Sequence, residues 1–367
     1  MKVTDKLNKI IHPWMVRYVC HSYLKKSKSV ERIHPNLFVP VDVEVSCLHK
    51  KLWGRLGIKC GDRWLRLHVN LTGIQDYRFC PEDIFFARIE RILNDCDQNG
   101  RGLDEKNNLL YYLPPGYEPD TLVRFVRGNF FNSRGEWISK EMAQDLISSE
   151  NSVVGKPCRS SGGRGVDVYK VMNISDIEKA GIDSYVVQKL ITQDEFSASF
   201  NPSSINTVRM MTLRRPWDGE IVVCRSMMRM GVSDAVVDNM MKGGLCVCID
   251  HDGGFSRYAY DYNGKRYEEH PVTKRTFFGL KHPYYEKMVI ATKEIHSRIM
   301  DCNLLSFDLV PRSDGTICCI EINATSQGIT QLQYDFGGLF GDDTEQLVDW
   351  CSMHLKFDSF NHFRTWY

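Results

Sequence analysis

The chain has 367 residues, of which 43% are hydrophobic and 25% are charged, and its formal net charge is +1. This composition is typical of a globular protein with two or three packed subdomains, and the balanced charge argues against a general attraction to nucleic acid. The thirteen cysteines include the adjacent pair Cys318 and Cys319 but no CxxC pair. We therefore expect a cytoplasmic protein with buried thiols and without a disulfide framework or structural zinc.

The N-terminal segment is basic. Residues 1–32 carry eight Lys or Arg residues against Asp5 and Glu31, which gives a local charge of +6. Its apolar residues follow a helical spacing, which predicts one apolar stripe on an amphipathic helix: Trp14, Met15, Tyr18, Val19 and Tyr23. Such a helix packs on its own domain with a solvated basic face, or residues 1–28 contact an anionic membrane surface peripherally. The apolar runs are too short for a signal peptide or a membrane span.

The remaining elements alternate between strands and helices, which predicts an α+β fold. In chain order we expect a strand over 65–71, a helix over 82–93, a break at 111–119, a strand over 121–127, a helix over 139–147 capped by Ser139, strands over 153–156 and 166–169, a helix over 175–179, strands over 185–190, 207–213, 220–230 and 244–249, and helices over 284–301 and 344–355. The predicted domains are a helical and mixed α/β region (1–115), two subdomains (116–200 and 201–355) and a tail (356–367).

The stretch from Ser306 to Gly328 predicts a hairpin. Asp314-Gly315 between apolar runs indicates a two-residue turn, which would place Asp308 opposite Glu321. Strand periodicity then puts Asn323 on the face of Glu321. Opposed carboxylates repel, so we expect a positive charge between them, and two carboxylates with an amide oxygen suit Mg²⁺ or Mn²⁺. The alternative is a surface hairpin with solvated acids.

A second signal is Lys156-Pro157 followed by a glycine-rich loop. Glycines leave backbone N–H groups free to approach phosphate oxygens, and lysine supplies a point charge for them. The loop lacks the ending of a P-loop, and a flexible turn remains the alternative. The candidate phosphate-binding residues are Lys156, Ser160, Ser161, Gly162, Gly163 and Gly165.

The strand at 185–190 ends in polar residues. An apolar strand of this kind can bury an adenine ring beside Gln188 and Lys189, with Glu195 accepting hydrogen bonds from a ribose. A buried strand followed by a surface loop would have the same sequence pattern.

A further group of polar residues lies in or beside β-rich runs. A buried unpaired charge there would be costly, although surface positions would also explain these residues. They are Asn206, Arg209, Arg229, Asn239 and Lys242.

The order of these parts resembles the ATP-grasp superfamily over roughly residues 120–350, and the segments 71–87, 204–213 and 237–244 look most like its sugar-transfer-associated members. The resemblance implies two α+β subdomains that grip ATP. It implies the following site: Asp308, Glu321 and Asn323 for magnesium, Lys156 as the second ATP-binding lysine, Gln188, Lys189 and Leu190 at adenine, Glu195 at ribose, and Arg209, Arg229, Asn239 and Lys242 as catalytic residues. The family's first ATP-binding lysine has no clear counterpart, and Arg124 or Arg127 lies in that region.

The resemblance further implies an ATP- and Mg²⁺-dependent carboxylate–amine ligase that works through an acyl phosphate. The expected substrates are a uronic-acid carboxyl group and an amino acid or other amine, joined as an amide during capsular, exo- or O-antigen polysaccharide biosynthesis. Two alternatives stay open, namely an ATP-grasp kinase that phosphorylates a sugar hydroxyl and a non-catalytic ATP-binding module. A basic stripe with interleaved aromatics is missing outside the N-terminal segment, so we expect no nucleic-acid partner.

Overall fold

The computed structural model of the protein describes residues 3–94, 99–158, 165–179, 182–233, 238, 240 and 243–358. Its elements form an N-terminal set of helices, a six-stranded sheet and a seven-stranded sheet, in that order along the chain. Every strand pairing within the two sheets is antiparallel. The structure therefore confirms the predicted α+β class.

The N-terminal part consists of helices: α1 (Val3–Ile33), α2 (Val43–Gly54), α3 (Arg63–Thr72), α4 (Glu82–Ile84), a π-helical turn (Phe85–Ile89), α5 (Glu90–Leu93), α6 (Asn99–Asp104), a 3₁₀ turn (Lys106–Asn108) and α7 (Leu109–Tyr112). The described residues before 121 contain one isolated bridge, from Asn94 to Cys302, and no strand. The predicted mixed α/β character of this region is therefore wrong.

The strand predicted over 65–71 is also wrong, because these residues form most of α3. Leu65, Leu67, Val69 and Leu71 are all buried, and so are Trp64 before them and His68 among them. The polar residues Arg63, Arg66 and Asn70 recur at helical spacing on one partly exposed side of α3, so the helical period is present in the sequence. The alternation over 65–71 arises because the polar His68 lies among the buried residues. The pattern reported burial correctly and periodicity incorrectly.

The six-stranded sheet has the order β3-β2-β1-β6-β4-β5. Its elements, with two helices, are β1 (Thr121–Val126), β2 (Asn129–Phe131), β3 (Trp137–Ile138), α8 (Lys140–Ser148), β4 (Val153–Pro157), β5 (Asp167–Tyr169), α9 (Ile174–Lys179) and β6 (Ser184–Lys189). Ser139 is the N-cap of α8 as predicted, since its hydroxyl accepts from Met142 N at 3.2 Å. Ala143 and Ile147 of α8 pack with Val123 and Val187 of the sheet in one apolar cluster.

The seven-stranded sheet has the order β11-β10-β9-β8-β7-β12-β13. Its elements, with the helices around it, are α10 (Glu195–Ala198), β7 (Val208–Arg214), β8 (Ile221–Met230), β9 (Leu245–Ile249), β10 (Phe255–Tyr260), β11 (Arg266–Tyr267), α11 (Tyr285–Ser297), β12 (Leu304–Pro311), β13 (Ile317–Asn323) and α12 (Thr344–Met353). Met288 and Ile295 of α11 pack on one face of the sheet, against Met210 and Phe307. Because side chains alternate along a strand, Asp308 lies on the other face.

The β12–β13 hairpin has the predicted pairing, with Asp308 opposite Glu321, but a different turn. Arg312 N donates to Thr316 O at 2.8 Å, so the loop comprises the three residues 313–315 rather than two. The register then shifts by one residue between Asp308 and Leu309, which leaves Ile320 as a β-bulge. The extra turn residue and the bulge compensate each other, and the two carboxylates still meet.

The chain after β13 returns to the N-terminal helices. Ile329, Leu332 and Tyr334 share a core with Trp53 and Leu71. The N-terminal helices and the C-terminal segment therefore cover part of the seven-stranded sheet together, on the face opposite α11.

Candidate active site

The face of the seven-stranded sheet opposite α11 carries a buried ion pair between neighbouring strands. Arg209 on β7 donates to Asp308 on β12 through both ends of its guanidinium, with Nε–Oδ1 at 2.7 Å and Nη2–Oδ2 at 2.8 Å. Arg229 on β8 adds a third bond, Nη2 to Oδ2 at 3.0 Å. Asp308 is 1% exposed. Burial by itself would raise the pKa of its carboxyl group, but the two arginines outweigh burial and hold this pKa below its usual range.

Arg229 also contacts a second carboxylate. Its Nη2 donates to the hydroxyl of Thr207 at 2.7 Å, and its Nε lies 3.5 Å from Asp238 Oδ2. The Thr207 hydroxyl in turn donates to Asp238. Burial raises the pKa of Asp238, and Arg229 opposes that shift. Arg229 thus sits between Asp308 and Asp238, which fixes its guanidinium in one place.

Lys106 is a site residue that sequence reasoning missed. It lies in the 3₁₀ turn before α7, is 7% exposed, and places Nζ 3.2 Å from Glu321 Oε1 and 3.5 Å from the carbonyl of Cys158. It therefore contacts the seven-stranded sheet and the end of β4 in the six-stranded sheet. The sequence holds only a weak signal for it, a polar run over 104–108 before an apolar helix, which a surface loop would share.

Lys156 lies on β4 close to Lys106. It is 8% exposed, and burial first and the charge of Lys106 second lower its pKa to about 8. Glu321 acts in the opposite direction. The two lysines and Glu321 therefore form one electrostatic group at the place where the two sheets meet. The phosphate-binding role of Lys156 stays a prediction.

Arg124, which the sequence places in the region of the first ATP-binding lysine, contacts the protein backbone, and its nucleotide-binding role stays a prediction. Its guanidinium is buried and donates to two backbone carbonyls, Asn107 O at 3.2 Å and Ser133 O at 3.4 Å. Arg127 is mostly exposed beside Asp183. Arg124 therefore ties a turn of the sheet to the segment that carries Lys106, and Lys106 occupies the position at the carboxylates.

The predicted adenine segment connects the two sheets. Gln188 is buried and donates from Nε2 to Thr121 Oγ1 at 3.0 Å, while Lys189 Nζ lies 2.6 Å from Glu150 Oε1. Leu190 is half-exposed and Glu195 is exposed at the start of α10. The segment between them is held to the hairpin, since Asp194 N donates to Pro311 O and Ser313 N to Thr192 O. The adenine and ribose roles stay predictions.

The predicted phosphate loop is described only at its end. Gly165 has φ +69°, and a Cβ atom there would lie 3.0 Å from Pro157 Cγ, so the loop returns close to the end of β4 at a position that suits glycine. Ser160, Ser161, Gly162 and Gly163 lie outside the described residues, and so do Asn239 and Lys242. Asn206 is buried and donates from Nδ2 to the carbonyls of Ser197 and Asn201, which is a structural use.

The positive charge expected between Asp308 and Glu321 is supplied by the chain. Arg209 and Arg229 neutralise Asp308, and Lys106 contacts Glu321. The chain's own cations therefore offset the repulsion between the two carboxylates, so this repulsion does not require a metal ion. The described residues contain no group of three or more His, Cys, Asp or Glu arranged for a metal.

The donor set nevertheless fits a hard cation. Asp308, Glu321 and Asn323 lie on one face of the hairpin, and they offer carboxylate and amide oxygens. The amide nitrogen of Asn323 is buried without a hydrogen-bond partner in the described part of the chain. The two ends of an amide exchange by a 180° flip, and an oxygen at that position facing a cation would be satisfied.

Comparisons with known proteins agree with the sequence resemblance. Residues 178–343 match the family model described as sugar-transfer associated ATP-grasp, so the resemblance is confirmed over that segment. No curated protein sequence matched the chain.

Several solved structures are similar to the chain at low identity. They include biotin carboxylase from Campylobacter jejuni in complex with βγ-ATP (14% identity, TM-score 0.42, 69% of this chain and 46% of that chain). VanG D-Ala:D-Ser ligase from Enterococcus faecalis (14%, 0.42, 71% and 64%) and L-amino acid ligase from Bacillus licheniformis (15%, 0.39, 70% and 48%) are also similar. The chain thus spans less than two thirds of the length of each of these proteins, and TM-scores this low carry no argument about activity.

Proposed function

We propose that the protein is an ATP-dependent carboxylate–amine ligase, on the premise that residues 178–343 are a sugar-transfer associated ATP-grasp segment. The observation that carries the proposal is the gathering of four cations, Lys106, Lys156, Arg209 and Arg229, around the Asp308–Glu321 pair. The four cations face three carboxylates, Asp308, Glu321 and Asp238, so the site keeps a net positive charge. A net positive charge in a buried site suits a ligand with several negative charges, such as a triphosphate.

The reaction has two steps. A carboxylate oxygen of the substrate attacks the γ-phosphorus, the bond to ADP breaks, and an acyl phosphate forms. An amine nitrogen then attacks the acyl carbon, phosphate leaves, and the nitrogen loses a proton to give the amide. Positioning and electrostatic stabilisation supply most of the rate in such transfers.

The residues of the site divide between these tasks. Lys156 and Lys106 bind phosphate oxygens at the meeting of the two sheets, and Arg209 and Arg229 hold Asp308 in place. Asp308, Glu321 and Asn323 would hold Mg²⁺, which would neutralise phosphate charge. An acyl phosphate hydrolyses readily, so the site must exclude water while the intermediate is present. The glycine-rich loop 160–166 is the segment that the sequence assigns to this task. Asn239 and Lys242 complete the catalytic set that the resemblance implies.

The proposed substrates are a uronic-acid carboxyl group and an amino acid or other amine, joined during the synthesis of a surface polysaccharide. The description of the matching family as sugar-transfer associated supports the glycan side of this proposal. A kinase acting on a sugar hydroxyl is the second candidate, since the same cations would bind the same nucleotide.

Calorimetric titration with ATP, with and without Mg²⁺, tests the proposal on the wild type, Glu321→Gln and the control Glu286→Gln, whose side chain is exposed on α11. Magnesium-dependent binding that Glu321→Gln loses and Glu286→Gln keeps supports the site. Screens of uronic acids with amines should then release ADP and free phosphate together. ADP with the phosphate retained on the substrate would indicate the kinase, ATP binding without turnover a non-catalytic module, and no ATP binding by the wild type would overturn the proposal.

A further inference from the structure

Helix α1 presents one exposed stripe of aromatic and basic side chains. Six exposed residues follow one another at spacings of three or four, and at 3.6 residues per turn they fall within an arc of about 80°. They are Trp14, Tyr18, His21, Lys25, Lys28 and Arg32. Arg17, also exposed, lies at the edge of this stripe.

The opposite side of α1 is occupied by the protein itself. Val16 is buried, Met15 and Val19 pack with it, and Tyr23 stacks on Phe86 with ring centroids 4.2 Å apart. The apolar stripe expected from the sequence is therefore split between two faces: Met15, Val19 and Tyr23 face the core, whereas Trp14 and Tyr18 face outward. The outward pair is 66% and 64% exposed, with stacked rings 5.7 Å apart.

The stripe carries cations that nothing in the described structure neutralises. Two charged residues elsewhere on α1 have partners within the protein, Lys26 with Glu82 at 2.7 Å and Glu31 with Arg63 at 2.5 Å. Arg17, Lys25, Lys28 and Arg32 make no ion pair with any described residue, and the stripe contains no Asp or Glu. Its partner should therefore be anionic.

We propose that this stripe binds the surface of an anionic lipid bilayer. It is about 27 Å long at 1.5 Å per residue, with the aromatic pair at one end and the cations along the rest. Indole and phenol rings at the level of lipid headgroups, beside lysines that attract anionic lipids, are the elements of a helix lying in the interface plane. Aromatics interleaved with the cations would have favoured single-stranded nucleic acid, but here both rings are at one end.

Binding of this kind is peripheral. No helix within the described residues has the length and apolar content needed to cross a bilayer. The face of α1 that packs on the protein supplies rigidity, and the exposed face supplies the contact, so the helix need not change its structure to bind.

Flotation with phosphatidylcholine vesicles, with and without 30% phosphatidylglycerol, tests the proposal on the full chain. The wild type should float only with anionic vesicles and be released by high salt. Lys25→Gln/Lys28→Gln should lower the partition coefficient about 30-fold, because each lysine near an anionic surface contributes about fivefold. The control Lys170→Gln/Lys281→Gln, with the same charge change at exposed positions elsewhere, should change it less than about twofold.

Brominated phosphatidylglycerol gives an independent reading. It should quench tryptophan fluorescence of the wild type and not that of Trp14→Phe, if Trp14 is the indole at the interface. Equal binding to neutral and anionic vesicles, or unchanged binding by Lys25→Gln/Lys28→Gln, would overturn the proposal, and so would binding to RNA without binding to vesicles. ATP titration of the same variants distinguishes this proposal from the ligase proposal. The variants should bind ATP like the wild type, because the stripe shares no residue with the candidate active site.

Discussion

Lys106 Nζ lies 3.2 Å from Glu321 Oε1, although the two residues are 215 positions apart in the chain. The contact brings the segment after α6 to the hairpin of the seven-stranded sheet. It also brings a cation to Lys156, whose pKa it helps to lower. The N-terminal helical part is therefore a contributor to the candidate site rather than an appendage of it.

Replacing Lys106 by Met should weaken ATP binding by about 10- to 100-fold, since a hydrogen bond to a charged group contributes about 1.5–3 kcal/mol. Lys106→Arg should retain part of the affinity because the charge remains. Calorimetric titration measures the effect, with Lys281→Met as a control at an exposed lysine. Wild-type affinity in Lys106→Met would remove Lys106 from the nucleotide site.

The buried Lys156 should make stability depend on pH. Its pKa falls from 10.5 to about 8 on folding. Between these values the unfolded chain binds more protons, so the free energy of unfolding rises with pH across this window, and the penalty of the buried charge is complete below it. Lys156→Met should therefore be more stable at pH 7, by up to about 3 kcal/mol, and should lack this rise. Urea titrations at pH 7 and 10 measure the unfolding free energy of both proteins. An equal rise between the two pH values in the wild type and in Lys156→Met would contradict the assignment to Lys156.

Nucleotide binding should move the same proton. Phosphate charge near Lys156 favours the ammonium form, so ATP binding between pH 8 and 9 should take up a proton in the wild type. Calorimetry in two buffers of different ionisation enthalpy measures that uptake. Lys156→Arg keeps the charge but titrates far above this range, so it should bind ATP without the uptake. Proton uptake of equal size in Lys156→Arg would mean that a group other than Lys156 takes up the proton.

The Arg209–Asp308 pair should be strongly coupled. Asp308→Asn should cost about 3–5 kcal/mol of unfolding free energy, because it leaves Arg209 and Arg229 buried without their carboxylate. Asp308 has a lowered pKa in the folded state, so its contribution is present above the unfolded value of 3.8 and is lost as the pH falls towards about 2. A double-mutant cycle with Arg209→Met measures the coupling. The exposed pair Arg257–Glu268 is the control and should give less than about 1 kcal/mol.

The turn glycine of the hairpin should be sensitive to substitution. Gly315 has φ +80°, and the nearest atom to an added Cβ would be 3.7 Å away, so the cost of Gly315→Ala is backbone strain and not a clash. We expect a loss of about 1–2 kcal/mol in thermal or urea unfolding. Gly54→Ala, at the end of α2 with open space around it, should be neutral or stabilising. Equal effects at both positions would contradict the three-residue turn.

Much of the local structure follows from the sequence alone. The period of two in the hairpin placed Asn323 on the face of Glu321, and Ser139 marked the start of α8. These features depend on neighbouring residues, which sequence patterns report directly. The pairing of Asp308 with Glu321 was predicted from a two-residue turn, and the structure reaches it through a three-residue turn and a bulge. The strand prediction over 65–71 missed the helical spacing of Arg63, Arg66 and Asn70 in α3, because the buried His68 completes an apolar–polar alternation.

The electrostatics of the site were decided only by tertiary structure. Nothing local to Lys106 indicates that it meets Glu321, and nothing local to Arg124 indicates that backbone carbonyls hold its guanidinium. Even the predicted Asp308 owes its neutralisation to Arg209 and Arg229, which lie on two other strands. Local sequence patterns predict the order of the elements. The partners of each buried charge depend on which distant strands and helices pack beside it, and local patterns do not report this.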